Sequence, residues 1–433
     1  MKNKIIQFST PIILAGVLVF ALACNKEYQD PSRATQNEVF SSPKGLTGVV
    51  IGLQRVYTAG RASSLYNKIT ANGFVTNELV LLNPGNIPEL QLSTGGATVD
   101  GTNTVLAGLW SSSNKIIYDA DLVITNSQNL ADKNYASGLI AYATIFKALA
   151  LGDLSMYWQK VPAQIGQNAN FVDRVDGFNR AIAAIDQALA AINANAISAT
   201  FLANIPPGVD IVNTLNALKA RYALFAGNLP LALTAANNVD LTKASSFQFD
   251  AITLNPIFET ATSTNNVFQP VNQQLGLTGI FQPDPADNRI AFYTTLNPNI
   301  APLVRINGFG ATASTPIPIY LPGEITLIKA EVFARQSDLT SALIELNKVV
   351  TKTPASDPFG VGANLPPIVG PLSQQDLLDQ IYKQRCIELF MSGLKLEDMR
   401  RFNRPATERK RDFFPYPFVE RDNNPNTPAD PPF

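Results

Sequence analysis

Apolar residues return every three or four positions along most of this chain, which restricts it to a mainly helical fold. The pattern is plainest over 177–192, where Phe178, Ile182, Ile185, Leu189 and Ile192 step by four, three, four and three. That spacing puts all five on one helix face. Ala181, Ala184, Ala188 and Ala191 flank the stripe and allow a neighbouring helix to approach closely. Further helical segments begin near Pro43 (Leu46, Val49, Leu53, Val56) and at Leu106 (Leu109, Ile116, Ala120, Val123). Others run from Ser137 to Trp158, over 211–227 and over 323–352. A last long helix covers about 373–402, with a break near Gly393.

Two stretches interrupt this order. Residues 83–103 are rich in Gly, Pro, Thr and Asn and read as an irregular excursion. From 240 to 320 periodicity fades, while Thr, Asn, Gln, Pro and Phe dominate. This predicts large loops with a few short strands. The proline-rich tail after Asn403 should wrap, extended, over the body.

Within 323–354, Ala330, Phe333, Ala342, Leu346, Val349 and Pro354 occupy the positions of a tetratricopeptide helical hairpin. Small residues are required where the two antiparallel helices cross, and large ones fill the gap to the next unit. Residues 213–239 repeat part of it through Ala220, Ala232 and Val239, with Ala236 at the bulky position. Stacked hairpins of this kind build a curved support.

The N-terminus carries a different signal. Lys2 and Lys4 precede an uninterrupted apolar or small stretch over 12–22, and Ala21, Leu22 and Ala23 lead into Cys24. This is a secretory signal peptide in size and polarity, too short to span a bilayer. A cysteine at the cleavage point can be diacylated on sulfur-borne glycerol and acylated on its new amine, as in a bacterial lipoprotein. Several acyl chains together anchor stably where one does not. The expected organisation is a signal peptide over 1–23, a polar tether over 24–42 and a single domain over 43–433. In that domain, helical repeats at about 43–239 and 323–402 flank the loop-rich insertion at about 240–320, and the tail takes 403–433.

Composition excludes much chemistry. The sequence has no histidine, which removes histidine-based nucleophilic triads, histidine-ligated zinc and histidine general bases. Gly95-Gly96 and 308–310 lack the spacing of phosphate-binding loops. A net charge of −1 argues against nucleic acid as a partner. With Cys24 lipidated, Cys386 stands alone and reads as a small buried hydrophobe. Paired carboxylates for glycoside hydrolysis stay open in principle, but no pair has a distinguishing context.

Several segments resemble the SusD/RagB family of outer-membrane nutrient-binding lipoproteins. The most specific is 381–390 (IYKQRCIELF) followed by 395–402 (KLEDMRRF). It is similar to a family pattern of Glu-Arg-x-x-Glu-Leu and then Gly-x-x-x-x-Asp-Leu-x-Arg. Gln384 and Ser392 depart from it, each standing where an acid is usual. The run 414–418 (FPYPF) with 423–426 (NNPN) resembles the family's closing motif. Leu109-Trp110 with Tyr118, Ala120 and Asn126 resembles its first repeat helix, and 141–162, ending in Tyr157, Trp158, Val161 and Pro162, its Gly-x-x-Pro segment. No matched motif covers 240–320. In this signature, Arg385 with Glu388, and Glu397 and Asp398 with Arg401, have the spacing of scaffold ion pairs along helices.

The resemblance implies a non-catalytic protein on the cell exterior, anchored to the outer membrane through lipid alone. It would capture an oligosaccharide or other small polymer and deliver it to a SusC-like TonB-dependent transporter, with no cofactor or metal. Ligand contacts would come from loops: aromatic faces at Tyr66, Phe74, Phe268, Phe281 and Phe309, and polar partners at Asn67, Asn266 and Arg289. Trp110 and Trp158 lie within helical motifs and belong to the core. Asp284, Asp287 and Asn288 could either offer oxygen ligands to calcium or form a turn. Two other readings are a tetratricopeptide scaffold binding protein partners and a carboxylate-pair surface glycosidase.

Overall fold

The computed structural model describes residues 36–433. Cys24, the signal segment 1–23 and residues 24–35 of the tether lie outside the described residues. The last part of the tether segment forms a short helix, α1 (Gln36–Phe40), whose Phe40 packs against the core.

The N-terminal half is a set of packed helices: α2 (Pro43–Thr58), α3 (Ser64–Val75), α4 (Ile87–Thr94), α5 (Thr104–Ser127) and α6 (Lys133–Tyr157). It continues through α7 (Arg174–Ala194), α8 (Ala199–Ala203), α9 (Ile211–Phe225) and α10 (Leu229–Asn237). Side chains cap the long ones: Asn103 accepts from the amides of Val105 and Leu106, Asp132 from Tyr135, and Asp173 from Val175. Each such cap contributes about 1 kcal/mol. Helix α6 is the central strut, packed on α2, α5, α7 and α9. By length and composition it could cross a membrane, yet 89% of its apolar window is buried inside the fold. The expected inward faces hold, with Leu109, Ile116, Ala120, Val123, Phe178 and Ile185 all buried.

The tetratricopeptide-like hairpin at 323–354 forms from α12 (Pro322–Arg335) and α13 (Leu339–Val350). Ala330, Ala334, Ala342, Leu346 and Val349 make a second core with Leu377 and Ile381 of α14 (Gln374–Glu388). Helices α9 and α10 make the partial repeat, with Ala220, Ala232 and Ala236 fully buried. Gly393, at φ +81°, separates α14 from α15 (Lys395–Arg401), as the break in pattern predicts.

The excursion at 83–103 differs from expectation, because α4 lies within it. Leu92 and Glu89 are both buried there, and Glu89 accepts from Arg61 Nη2 (2.5 Å) and Tyr66 OH (3.4 Å). These tertiary contacts order a segment whose composition favours loops.

The insertion is loop-rich as expected, with a short α-helix, α11 (Asn288–Tyr293), and a π-helical turn over Phe258–Thr262. All strands pair antiparallel in twos. Strand β1 (Leu79–Leu81) pairs with β5 (Phe268–Pro270), tying the chain just before the excursion to the insertion. Strands β2 (Lys160–Pro162) and β3 (Phe171–Asp173) pair, as do β4 (Ser246–Phe247) and β8 (Ile317–Pro318), and β6 (Thr294–Leu296) and β7 (Val304–Ile306). The tail wraps back over the helices and includes a short helix, α16 (Phe418–Asn423), where the sequence predicts only extended chain. Phe414 and Tyr416 are buried, and Trp158 Nε1 donates to Pro415 O at 3.0 Å. Both tryptophans are core residues, in edge contact at 4.9 Å. Cys386 is free and buried, and burial pushes its thiol up to about 12.

The signature ion pairs are partly rearranged. Asp398 does pair with Arg401 (2.7 Å), but Arg385 pairs with Asp398 (2.9 Å) rather than Glu388. Glu397 pairs with Arg174 (2.9 Å) and Arg400 (2.7 Å) rather than Arg401. Glu388 instead takes Arg289 (3.0 Å) from α11 and Lys352 (2.6 Å) from the loop after α13. Gln384, standing where an acid is usual, accepts from Arg289 Nη2 through its amide oxygen. The signature is therefore a buried ionic clasp joining the insertion to the helical body.

Candidate functional site in the insertion loops

The β6–β7 hairpin leads into a tight turn, Gly308–Gly310, that places Phe309 between Phe292 and Phe359. Gly308 sits at φ +56°, where an added Cβ would run into Phe292. Asn255, fully buried, staples the turn: its Nδ2 donates to Phe309 O (2.7 Å) and Thr315 O (2.8 Å). Its Oδ1 accepts from the amides of Ile257 and Phe258. Gln269 of β5 braces β7 by accepting from Ile306 N at 2.9 Å.

Three spaces meet around this turn. The first is a cleft of about 380 Å³ lined by Phe292, Phe309, Phe359, Pro316 and Pro358. Phe309 stands 5.2 Å from Phe292 and 6.0 Å from Phe359, centroid to centroid, and all three rings are half-buried. The second is a cleft of about 470 Å³ lined by Asn265, Asn297, Asn299, Asn307, Thr295 and Arg305. The third, beneath Phe309, is a narrow chamber of about 60 Å³ among Tyr57, Lys68, Arg221, Glu324 and Tyr320. In and around the chamber, Lys68 donates to Tyr57 OH (2.9 Å) and lies 3.6 Å from Asp153. Arg221 and Glu324 form a two-toothed pair at 2.6 and 2.7 Å. Burial pulls the Lys68 amine down and pushes the Asp153 carboxyl up, each opposed by the charge of the other.

Rings beside amide-lined space suit sugars, whose faces stack on aromatics while their hydroxyls bond amides. No aspartate or glutamate lines either open cleft, so this site offers no carboxylate pair for hydrolysis.

Of the residues expected to contact ligand, Phe309 alone lines these clefts. Tyr66, Phe74 and Phe268 are fully buried together, with Phe268 at 6.3 Å from Tyr66 and 5.7 Å from Phe74. This is a correction, because their faces are covered by core side chains. Asn67 is buried and donates to Ala62 O, and Arg289 is consumed by the ionic clasp. Phe281 lies edge-on to Tyr382 at 5.2 Å, under the Arg404 guanidinium. Asn266 is exposed, and its Oδ1 accepts from Thr264; its neighbour Asn265 lines the second cleft. Asp284 and Asp287 form a turn and a helix cap, and Asp287 is held by Arg289. The cleft residues overlooked in the sequence are Phe292, Phe359, Arg305 and the asparagines 265, 297, 299 and 307. Asn297-Pro298-Asn299 is a visible turn signal, whereas Phe359 comes from a loop remote in sequence.

Among solved structures, a SusD superfamily protein from Bacteroides thetaiotaomicron superposes at TM-score 0.71 and 15% identity, over 90% of this chain and 100% of that one. Another from Parabacteroides distasonis gives 0.68 and 13%, over 93% and 100%. The fold is that of the SusD superfamily. A SusD-like carbohydrate binding protein from Bacteroides fragilis matches at 0.64 and 14%, over 84% and 87%. No protein-family model matches the chain, and no curated protein matches its sequence. The SusD-like body thus displays the three-phenylalanine cleft and the asparagine-rich cleft on either side of one turn.

Proposed function

We propose that this chain belongs to the SusD/RagB family and is a non-catalytic surface lipoprotein that captures an oligosaccharide. The observation carrying this reading is the phenylalanine cleft beside the amide-lined cleft, borne on a SusD fold. The carbohydrate binding named for the Bacteroides fragilis relative supports it. Cys24 is the lipid anchor to the outer membrane, the chain faces the exterior, and a SusC-like TonB-dependent transporter receives the ligand.

Calorimetry of the chain against a panel of neutral oligosaccharides tests the capture. Phe309→Ala and Phe359→Ala are each expected to weaken binding about tenfold, roughly 1.4 kcal/mol, with a modest loss of thermal stability because both rings are half-buried. Full affinity in both variants would place the ligand elsewhere. For the anchor, Cys24→Ser is expected to move the chain from the membrane fraction to the soluble one. A TonB-dependent barrel should co-purify with the native form from detergent extracts. A serine variant that still sediments with membranes removes the lipid from this account.

A further inference from the structure

Arg305 on β7 is 4% exposed, yet it makes no ion pair with any carboxylate among the described residues. Its Nη1 donates to the adjacent Val304 O at 2.8 Å, its Nη2 reaches Ile300 O at 3.3 Å, and its Nε has no partner. Other buried guanidiniums have either a carboxylate partner or a bond on every nitrogen. Arg221 has Glu324, Arg289 has Asp287 and Glu388, and Arg385 has Asp398. Arg411 places its three nitrogens on three carbonyls. Burying a charge without a counter-ion costs several kcal/mol, so an unmatched arginine marks a place where an anion belongs. Arg305 lines the asparagine-rich cleft, which has no acidic residue in its wall and holds a second unpartnered polar atom, Thr262 Oγ1.

We propose that this cleft takes the anionic group of an acidic sugar, a carboxylate or a sulfate ester, on the Arg305 guanidinium. The proposal rests on the capture reading above and names its ligand class. A planar guanidinium matches either anion through paired N–H donors, and the asparagine amides around it serve the neighbouring ring hydroxyls.

The test titrates the purified full chain with an oligogalacturonate, a sulfated oligosaccharide and a neutral oligosaccharide of equal length, and repeats this in Arg305→Gln and Arg305→Lys. The expected result is at least tenfold tighter binding of an acidic ligand, weakening with salt; which of the two binds identifies the anion. Arg305→Gln should erase the preference for the acidic ligand over the neutral one, while Arg305→Lys keeps part of it. Equal affinity for acidic and neutral ligands, or a preference that survives the glutamine, overturns the proposal while leaving neutral glycan capture standing. If no oligosaccharide binds, capture fails by itself, and inorganic sulfate then decides the anion site. A rise in Tm in the native chain and none in Arg305→Gln supports it, and no rise in either means water alone satisfies Arg305 and overturns it. Melting of the unliganded variants establishes that both remain folded.

Discussion

Glu388→Ala is expected to destabilise the protein by about 3–5 kcal/mol, the range for breaking a buried ion pair. The Glu388 carboxylate is fully buried and accepts from Arg289 Nη1 at 3.0 Å and Lys352 Nζ at 2.6 Å. Its removal leaves two cations facing an empty space. Arg289 keeps Asp287, and Lys352 keeps Asp357, so neither is wholly stranded. The Tyr293 hydroxyl still donates to Glu388 O, because that bond uses the backbone. The clasp joins α11, the loop after α13 and α14, so its loss loosens the insertion from the helices. Urea unfolding of wild type, Glu388→Ala and the near-isosteric Glu388→Gln measures the effect. A loss below about 1 kcal/mol for the alanine variant would show that the clasp is not structural.

Acid should act through Glu331, on α12. Burial alone would push its carboxyl up. The Arg401 guanidinium, at 2.7 and 2.9 Å, with Arg385 and Arg335 nearby, outweighs this and holds it down at about 2, against an ordinary 4.5. A depressed acid contributes stability that is present above its unfolded value and is lost as pH falls through its folded value. The contribution therefore persists above pH 4.5 and disappears toward pH 2. Its size is on the order of 3 kcal/mol. Burial raises Asp153 and Glu78, which act in the opposite sense, and their effect is complete once pH reaches the ordinary carboxylate range. Comparing wild type with Glu331→Gln isolates the residue. The gap in unfolding free energy should stand near its full size at about pH 5 and close as pH approaches 2. A gap that stays constant over that range would contradict the assignment.

The helical body was legible because each helix repeats its apolar residues with its own period. Phe178, Ile182 and Ile185, or Ala330, Ala342 and Leu346, declare their faces without knowledge of any neighbour. Gly393 marked its break for a similar reason, since glycine takes a left-handed backbone at little cost. Local spacing misled where partners came from elsewhere. Arg385 and Glu388 sit three apart, yet each pairs across the fold, with Asp398 and with Arg289 and Lys352. The ligand candidates went astray in the same way. Tyr66, Phe74 and Phe268 are aromatic and adjoin irregular segments, but the β1–β5 pairing folds those segments over them.

Sequence by itself determined the helical class, the hairpin repeat and the loop-rich middle. These follow from periodicity, small residues at crossings and backbone preferences, all written within a few turns of chain. Only the tertiary structure decided which aromatics face solvent and which buried arginine lacks both a carboxylate and a partner for one nitrogen. Exposure and charge balance are sums over neighbours distant in sequence: Phe359 joins Phe292 and Phe309 from a separate loop, and Arg305 stands out only once every nearby carboxylate is placed.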